Sequence, residues 1–203
     1  MVNLTMKNTF NEITSHLLND NSPSEYFNDL DKELREYPLS MIRELKNVEQ
    51  SPKFHPEGNV WNHTMMVVDE AAKVKDYSND SKVFMWAALL HDIGKPDTTK
   101  VRRGKITSYD HDIVGARLAR KFLEFYTKDE DFIDTVFKMV KYHMHMLYVL
   151  KGLPFGNPAR MIEETNIHDI ALLCRCDRLG RIGADIEAEH KNYKEFLKVL
   201  QSP

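Results

Sequence analysis

Six side chains able to do chemistry together stand at five places in the 203 residues: His63, the pair His91-Asp92, His111, His143 and Asp177. Each falls on the stripe of a helical pattern that should face inward. His63 shares a line with Val67, Ala71 and Val74, and His111 with Gly115, Leu118, Phe122 and Phe125. His143 aligns with Phe132, Val136 and Met139 or Val140, and Asp177 with Ile170, Cys174 and Arg181. An ionised carboxylate on such a stripe is costly unless a cation or strong donors meet it. A lone inward histidine is more often bonded to a backbone carbonyl. An inward aspartate is often salt-bridged, a service Arg178 or Arg181 could give Asp177. Five helices turning imidazoles and carboxylates inward point instead to a shared divalent cation. Nitrogen and oxygen ligands together suit Mn, Fe, Co, Ni or Zn without choosing among them. The His-Glu-x-x-His pattern of a zinc helix is absent. His-Asp also occurs at His111-Asp112 and His168-Asp169, so the dipeptide takes its meaning from its surroundings.

These residues need helices to position them. The helix that presents His91-Asp92 is expected to be capped by Ser81, to bury one face (Val83, Trp86, Ala87, Leu90) and to stop at Gly94 and Pro96. Asn59 should cap a central helix over 60–75. Upstream, residues 1–22 form a short helix around 10–18 or fray. From Ser24, Tyr26, Phe27, Leu30 and Leu34 share a stripe; a helix over 39–48 follows Pro38; residues 51–58, with Pro52 and Pro56, form a loop. Residues 97–109, holding Arg102-Arg103-Gly104-Lys105, are either a short hairpin or a loop placed to gate a site. Asp110 is expected to cap a helix over 111–126. Another covers 131–146, and 147–157 is irregular. Asn157-Pro158 and Asn166 open two more helices, and 185–200 forms the last. The fold class is all-α: one helical domain over 23–203 behind an N-terminal segment, 1–22.

With 42% hydrophobic and 29% charged residues, the chain can bury one core. A net charge of -3 gives no global pull toward nucleic acid, although a local basic patch remains open. No apolar run approaches the roughly 20 residues of a membrane span. No basic-then-apolar leader opens the chain. Cys174 and Cys176 suit a reduced compartment, so the expected location is cytoplasmic. A Cys-x-Cys metal site would need further soft ligands; two packed thiols is the plainer reading.

The order His63, His91-Asp92, Asp177 resembles the HD superfamily of metal-dependent phosphohydrolases. Lys53-Phe54-His55-Pro56-Glu57, Asn62-His63-Thr64-Met65-Met66-Val67-Val68 and Ala88-Leu89-Leu90-His91-Asp92-Ile93-Gly94-Lys95 are similar to the HD domain of bacterial tRNA nucleotidyltransferases. So are His111 with Gly115-Ala116, and Asp177-Arg178-Leu179-Gly180-Arg181. The similarity runs over about residues 23–190. The Gly-rich strand turn and paired aspartates of the nucleotidyltransferase head are missing, so the resemblance implies a stand-alone HD helical bundle and not nucleotide addition. By position it implies His63, His91, Asp92 and Asp177 as ligands of a divalent metal (Mn, Ni, Co, Mg, Fe or Zn). His111 and His143 would hold a second metal or bind phosphate, giving one or two metals per chain. His145 lies about 200° from His143 around the helix and is the lesser candidate.

The implied activity is phosphomonoester or phosphodiester hydrolysis of nucleotides or nucleotide-like esters by metal-activated water. Asp92 would serve as ligand and proton acceptor. Lys95, one turn on, would meet a non-bridging oxygen, or else be solvated at a helix end that favours a cation. Arg102, Arg103 and Lys105 reach the rest of an anionic substrate or form a solvated basic loop. Arg181 contacts phosphate or supports Asp177. The partner is a small phosphorylated substrate, a nucleotide first and an RNA end second; the oligomeric state stays open. A 5'-nucleotidase, a hydrolase of dinucleoside polyphosphates or signalling nucleotides, and a non-catalytic nucleotide- or RNA-binding HD module are the alternatives. The intact set of His63, His91, Asp92 and Asp177 favours turnover over binding alone.

Overall fold

Eight consecutive apolar residues, Val83 to Leu90, leave a helix no polar face to turn to water, so it must be enclosed. In the computed structural model, which describes residues 4–30 and 32–201, they form α5 (Ser81–Leu90), and all eight are buried. One buried face was the expectation from spacing; the whole circumference is enclosed. Four helices do this: α1 (Leu4–Asn19), α4 (Val60–Ala72), α8 (Glu130–Tyr142) and α11 (Ile167–Leu179). The other helices are α2 (Pro23–Asp29), α3 (Leu39–Arg43), α6 (Lys95–Thr98), α7 (His111–Glu124), α9 (His145–Leu150), α10 (Pro158–Glu164) and α12 (Ile186–Gln201). With one small hairpin besides, the fold is all-α, as its pattern implied. No described helix is long and apolar enough to cross a membrane.

The N-terminal helix is longer than the expected 10–18, and it is part of the core. Phe10, Ile13 and Leu17 recur at helical spacing and are buried. The Phe10 ring stacks on Trp86 at 4.9 Å, and Trp86 Nε1 donates to Thr14 Oγ1 at 3.0 Å. The stripe from Tyr26 to Leu34 is broken instead of continuous. α2 ends at Asp29, and Leu34 sits in a separate 3₁₀ turn, Glu33–Arg35. The 39–48 segment likewise splits into α3 and a 3₁₀ turn, Glu44–Asn47.

Three asparagine caps form where expected. Asn59 Oδ1 accepts from Asn62 N, Asn157 Oδ1 from Arg160 N, and Asn166 Oδ1 from His168 N and Asp169 N. Two other caps differ. Asp80, not Ser81, caps α5, its Oδ1 accepting from Lys82 N and Val83 N, while the Ser81 hydroxyl donates to Lys75 O. A carboxylate is the stronger acceptor for two N–H groups. Asp110 precedes α7 with a positive φ of 61°, and its side chain caps nothing.

Residues 97–109 hold the hairpin alternative. β1 (Thr99–Arg102) pairs antiparallel with β2 (Lys105–Ser108), and Arg103 and Gly104 turn with φ of 50° and 74°. Positive φ at both central residues is what a two-residue type I′ turn requires. The helix expected over 131–146 stops at Tyr142. α9 then runs from His145 through Leu150, so 147–150 is helical where an irregular connection is expected. Gly94 does more than end a helix: a Cβ there would overlap the His111 carbonyl oxygen and come 2.5 Å from Gly115 N. Its missing side chain lets the turn after α5 lie directly on α7.

Ile13 is fully enclosed. Ile13→Ala is therefore expected to cost about 2–5 kcal/mol in a single urea-unfolding transition. A frayed N-terminal segment would leave the midpoint where the parent has it.

Candidate metal centre

α4 brings His63, the turn after α5 brings His91 and Asp92, and α6 brings Lys95. The start of α7 supplies His111, the residue after α8 supplies His143, and α11 supplies Asp177. All seven side chains are buried. The ring hydrogen bonds decide which nitrogens face one another. Nδ1–H of His91 donates to Ala88 O at 2.8 Å, that of His111 to Ser108 O at 2.7 Å and that of His143 to Val140 O at 2.6 Å. A carbonyl only accepts, so each proton is on Nδ1 and each Nε2 is left with a lone pair.

Those lone pairs converge on one carboxylate. His91 Nε2 lies 3.1 Å from Asp92 Oδ2; His111 Nε2 and His143 Nε2 lie 3.4 and 3.8 Å from Asp92 Oδ1. None of these five buried acceptor atoms has a hydrogen-bond partner. Lys95 Nζ is an ion-pair neighbour of Asp92 Oδ2 at 2.7 Å, but its directed hydrogen bond runs to Gln50 Oε1, also at 2.7 Å. Buried acceptors without donors are costly, and a cation is what would satisfy them. His63, His91 and Asp92 offer ligand atoms within 4.8 Å of one another, as do Asp92, His111 and His143. Imidazole nitrogen with carboxylate oxygen is a donor set that fits a divalent metal.

The charge states agree. Burial pushes His111 down to about 3. Burial lowers His143. Burial opposes ionisation of Asp92, but His91 and then Lys95 outweigh it and hold the carboxyl well below the usual range. His63 differs from the other rings. Its Nδ1–H lies between Gly180 O at 3.0 Å and Glu57 Oε1 at 3.1 Å. Its Nε2 is 3.0 Å from Asp177 Oδ1 and 3.7 Å from Asp92 Oδ2. Burial would lower this imidazole, yet the bonds to Asp177 and Glu57 prevail and raise it. This Nε2 faces two carboxylates, where a bound cation would also be met. Asp177 also accepts from Arg181 at 3.1 Å. Burial opposes its ionisation, and the Arg181 charge followed by His63 holds it well below the usual range.

The remaining expectations divide. Arg181 pairs with Asp177, whereas Arg178 pairs with Glu189 at 2.7 Å. Lys95 is only 8% exposed, so it is not a solvated helix-end lysine. Arg102, Arg103 and Lys105 occupy exposed hairpin positions outside the buried cluster, and the Arg102 guanidinium lies 5.6 Å from the Tyr109 ring centre. His145 turns away from the cluster, its Nε2 accepting from Asn157 N at 3.2 Å. Cys174 and Cys176 are buried free thiols; Cys174 Sγ donates to His143 O at 2.8 Å, and burial pushes its thiol up to about 12. Sequence reading gave no role to Gln50 or Glu57. Both lie in a loop region where polar side chains ordinarily face water, and only the resemblance of the Lys53–Glu57 segment drew attention to that region.

A family model described as the HD domain matches residues 60–181, more than half of the chain. A Multifunctional CCA protein of Actinobacillus pleuropneumoniae serotype 5b is 27% identical over 145 residues, covering 68% of this chain and 35% of the relative. That of Vibrio campbellii is 28% identical over 176 residues (81% and 40%), and that of Halorhodospira halophila 34% over 129 (64% and 29%). The chain thus spans 40% or less of the length of these relatives.

Cobalt(II) added to metal-stripped protein is expected to produce visible d–d absorption and to raise the unfolding temperature. Asp92→Ala should weaken cobalt binding by more than about 100-fold, beyond the loss typical of an outer-shell partner. Parent-like binding by that variant would place the cation elsewhere.

Proposed function

The chain belongs to the HD domain family, and from that membership we propose that it is a divalent-metal-dependent phosphohydrolase acting on nucleotides or nucleotide-like phosphate esters. The observation that carries this reading is the set of five buried polar atoms around Asp92 that make no directed hydrogen bond, with Lys95 Nζ the one cationic neighbour, 2.7 Å from Asp92 Oδ2. His63, His91, Asp92 and Asp177 would hold the metal. His111 and His143, whose Nε2 atoms face the other Asp92 oxygen, would hold a second metal or bind phosphate. A divalent ion in such a set acidifies a water and withdraws charge from a phosphoryl oxygen.

The chain's own residues do the rest. Asp92 stays ionised in the buried site and is the nearest anionic group to accept a proton from the attacking water. Lys95 is held by Gln50 and Asp92, so its charge needs no reorganisation to meet a developing negative charge on phosphate. Arg181 keeps Asp177 ionised and oriented. The exposed Arg102, Arg103 and Lys105 offer positive charge to the remainder of an anionic substrate. The CCA proteins among its relatives favour a nucleotide, or the end of an RNA, as that substrate. Two free buried thiols fit a reducing, cytoplasmic setting.

The test is phosphate or nucleoside release from cyclic, 2', 3' and 5' nucleotides and a generic phosphodiester, with each of several divalent metals. Turnover should require metal, vanish in Asp92→Ala, and fall by about 10²–10³ in kcat in Lys95→Ala, as for loss of a preorganised charge donor. Metal-bound protein that turns over none of these would be a nucleotide- or RNA-binding module.

A further inference from the structure

His63 faces a problem that the other three ring histidines do not. His91 and His143 follow the ends of α5 and α8, and His111 follows β2, where a backbone carbonyl three residues back is free to take the Nδ1 proton. His63 lies inside α4, where the carbonyls of the preceding turn are engaged in the helix ladder. Its Nδ1–H must find an acceptor outside its own helix. Gly180 O is one, and Glu57 Oε1 is the other.

Glu57 is an unusual group to find there. It is 7% exposed, and among the described residues no lysine or arginine pairs with it. Its oxygens accept from His55 Nδ1 at 2.8 Å on Oε1 and from Ile182 N at 3.4 Å on Oε2, and Oε1 lies 3.1 Å from His63 Nδ1, whose directed hydrogen bond runs to Gly180 O. The loop that carries it is tied at its base by Gln50 N donating to Gly58 O at 3.1 Å. It is tied to α4 by Asn62 Nδ2 donating to Glu57 O at 2.9 Å. The His55–Glu57–His63 group could itself be taken for a cation site. However, the His63 Nδ1 proton is directed to Gly180 O and His55 donates to Glu57, so the group is better described as a carboxylate that takes one imidazole N–H and lies against a second.

We propose that Glu57 is the positioning residue of the metal centre: it fixes His63 in its Nδ1–H form, with Nε2 turned toward Asp92 and Asp177. This rests on the metal reading above. A ligating histidine whose other N–H meets a carboxylate is held in one tautomer and one orientation, and loss of that partner costs about 10–100-fold in metal affinity. Glutamine has one acceptor oxygen where glutamate has two, so Glu57→Gln must turn an NH₂ toward one of three donors.

Cobalt(II) affinity and visible absorption would be measured on the full chain for the parent, Glu57→Gln, His63→Ala and the double variant. Glu57→Gln is expected to weaken binding about 10–100-fold and to shift the d–d band. In the His63→Ala background it should add no further loss, because the residue it positions is gone. Equal losses in both backgrounds, or parent-like affinity in Glu57→Gln, would overturn the proposal. Ring ¹⁵N shifts of the zinc-loaded parent give a readout that needs no variant: metal on His63 Nε2 with a proton on Nδ1 supports the proposal, and metal on Nδ1 refutes it. A parent that binds no cobalt would sink the metal reading and this inference together. Binding by the parent with no effect of Glu57→Gln would sink only the inference.

Discussion

The arrangement around Asp92 is governed by a repulsion. Two carboxylate oxygens and three imidazole lone pairs are enclosed together with no proton shared among them. Lys95 offsets part of the charge but directs its hydrogen bond to Gln50. Left alone, such a cluster would favour any rearrangement that let water in. It persists because the helices carrying it are held by an apolar core whose centre, α5, has no polar face at all. The core holds these side chains in place against their mutual repulsion, and a bound cation would turn that repulsion into attraction.

Helix ends and ring tautomers are set by the same hydrogen bonds. α5 stops at Leu90 and α8 at Tyr142, and each leaves carbonyls of its last turn without an amide partner. Ala88 O and Val140 O are among them, and each is met by the imidazole just beyond the helix. Each bond satisfies a stranded acceptor and forces the lone pair onto Nε2, aimed at Asp92. Had α8 run on to residue 146, as its apolar spacing suggested, Val140 O would have been taken by an amide of the next turn. His143 would then have lost the acceptor that defines its tautomer. The break at His143 is therefore part of the site, and the start of α9 is its consequence.

What the sequence made legible follows from which interactions are local. The asparagine caps depend on a side chain and amides two or three residues away, and all three were readable. The inward stripes of His63, His111, His143 and Asp177 depend on helical periodicity, and the structure brings these side chains to one place. Ser81 and Asp80 are both capping types, and only geometry assigns the α5 cap to Asp80. The polar composition of the N-terminal helix hides core contacts that Phe10, Ile13 and Leu17 make with partners far off in sequence. Gln50 and Glu57 were missed because their burial depends on α6 and on the segment after α11, which no local pattern around Pro52 and Pro56 reveals.

Two close approaches decide how near the ligands can come. Gly94 lets the Asp92 turn rest on α7 beside His111, and Gly180 sits where a Cβ would meet Val67 Cγ2 and backbone N, at 2.5 and 2.8 Å. Gly180 thereby brings the end of α11, with Asp177, against α4, and its own carbonyl takes the His63 proton. A side chain at either position would push apart two helices that share the centre. Misplacement of about 1 Å is enough to disable a ligand constellation. The backbone contacts that exclude side chains are thus as much a part of the candidate metal centre as the imidazoles, although they would contribute no ligand atom. Because these contacts draw the lone pairs together before any cation arrives, the fold bears the electrostatic cost in advance. Cation affinity and fold stability are consequently two measures of one balance.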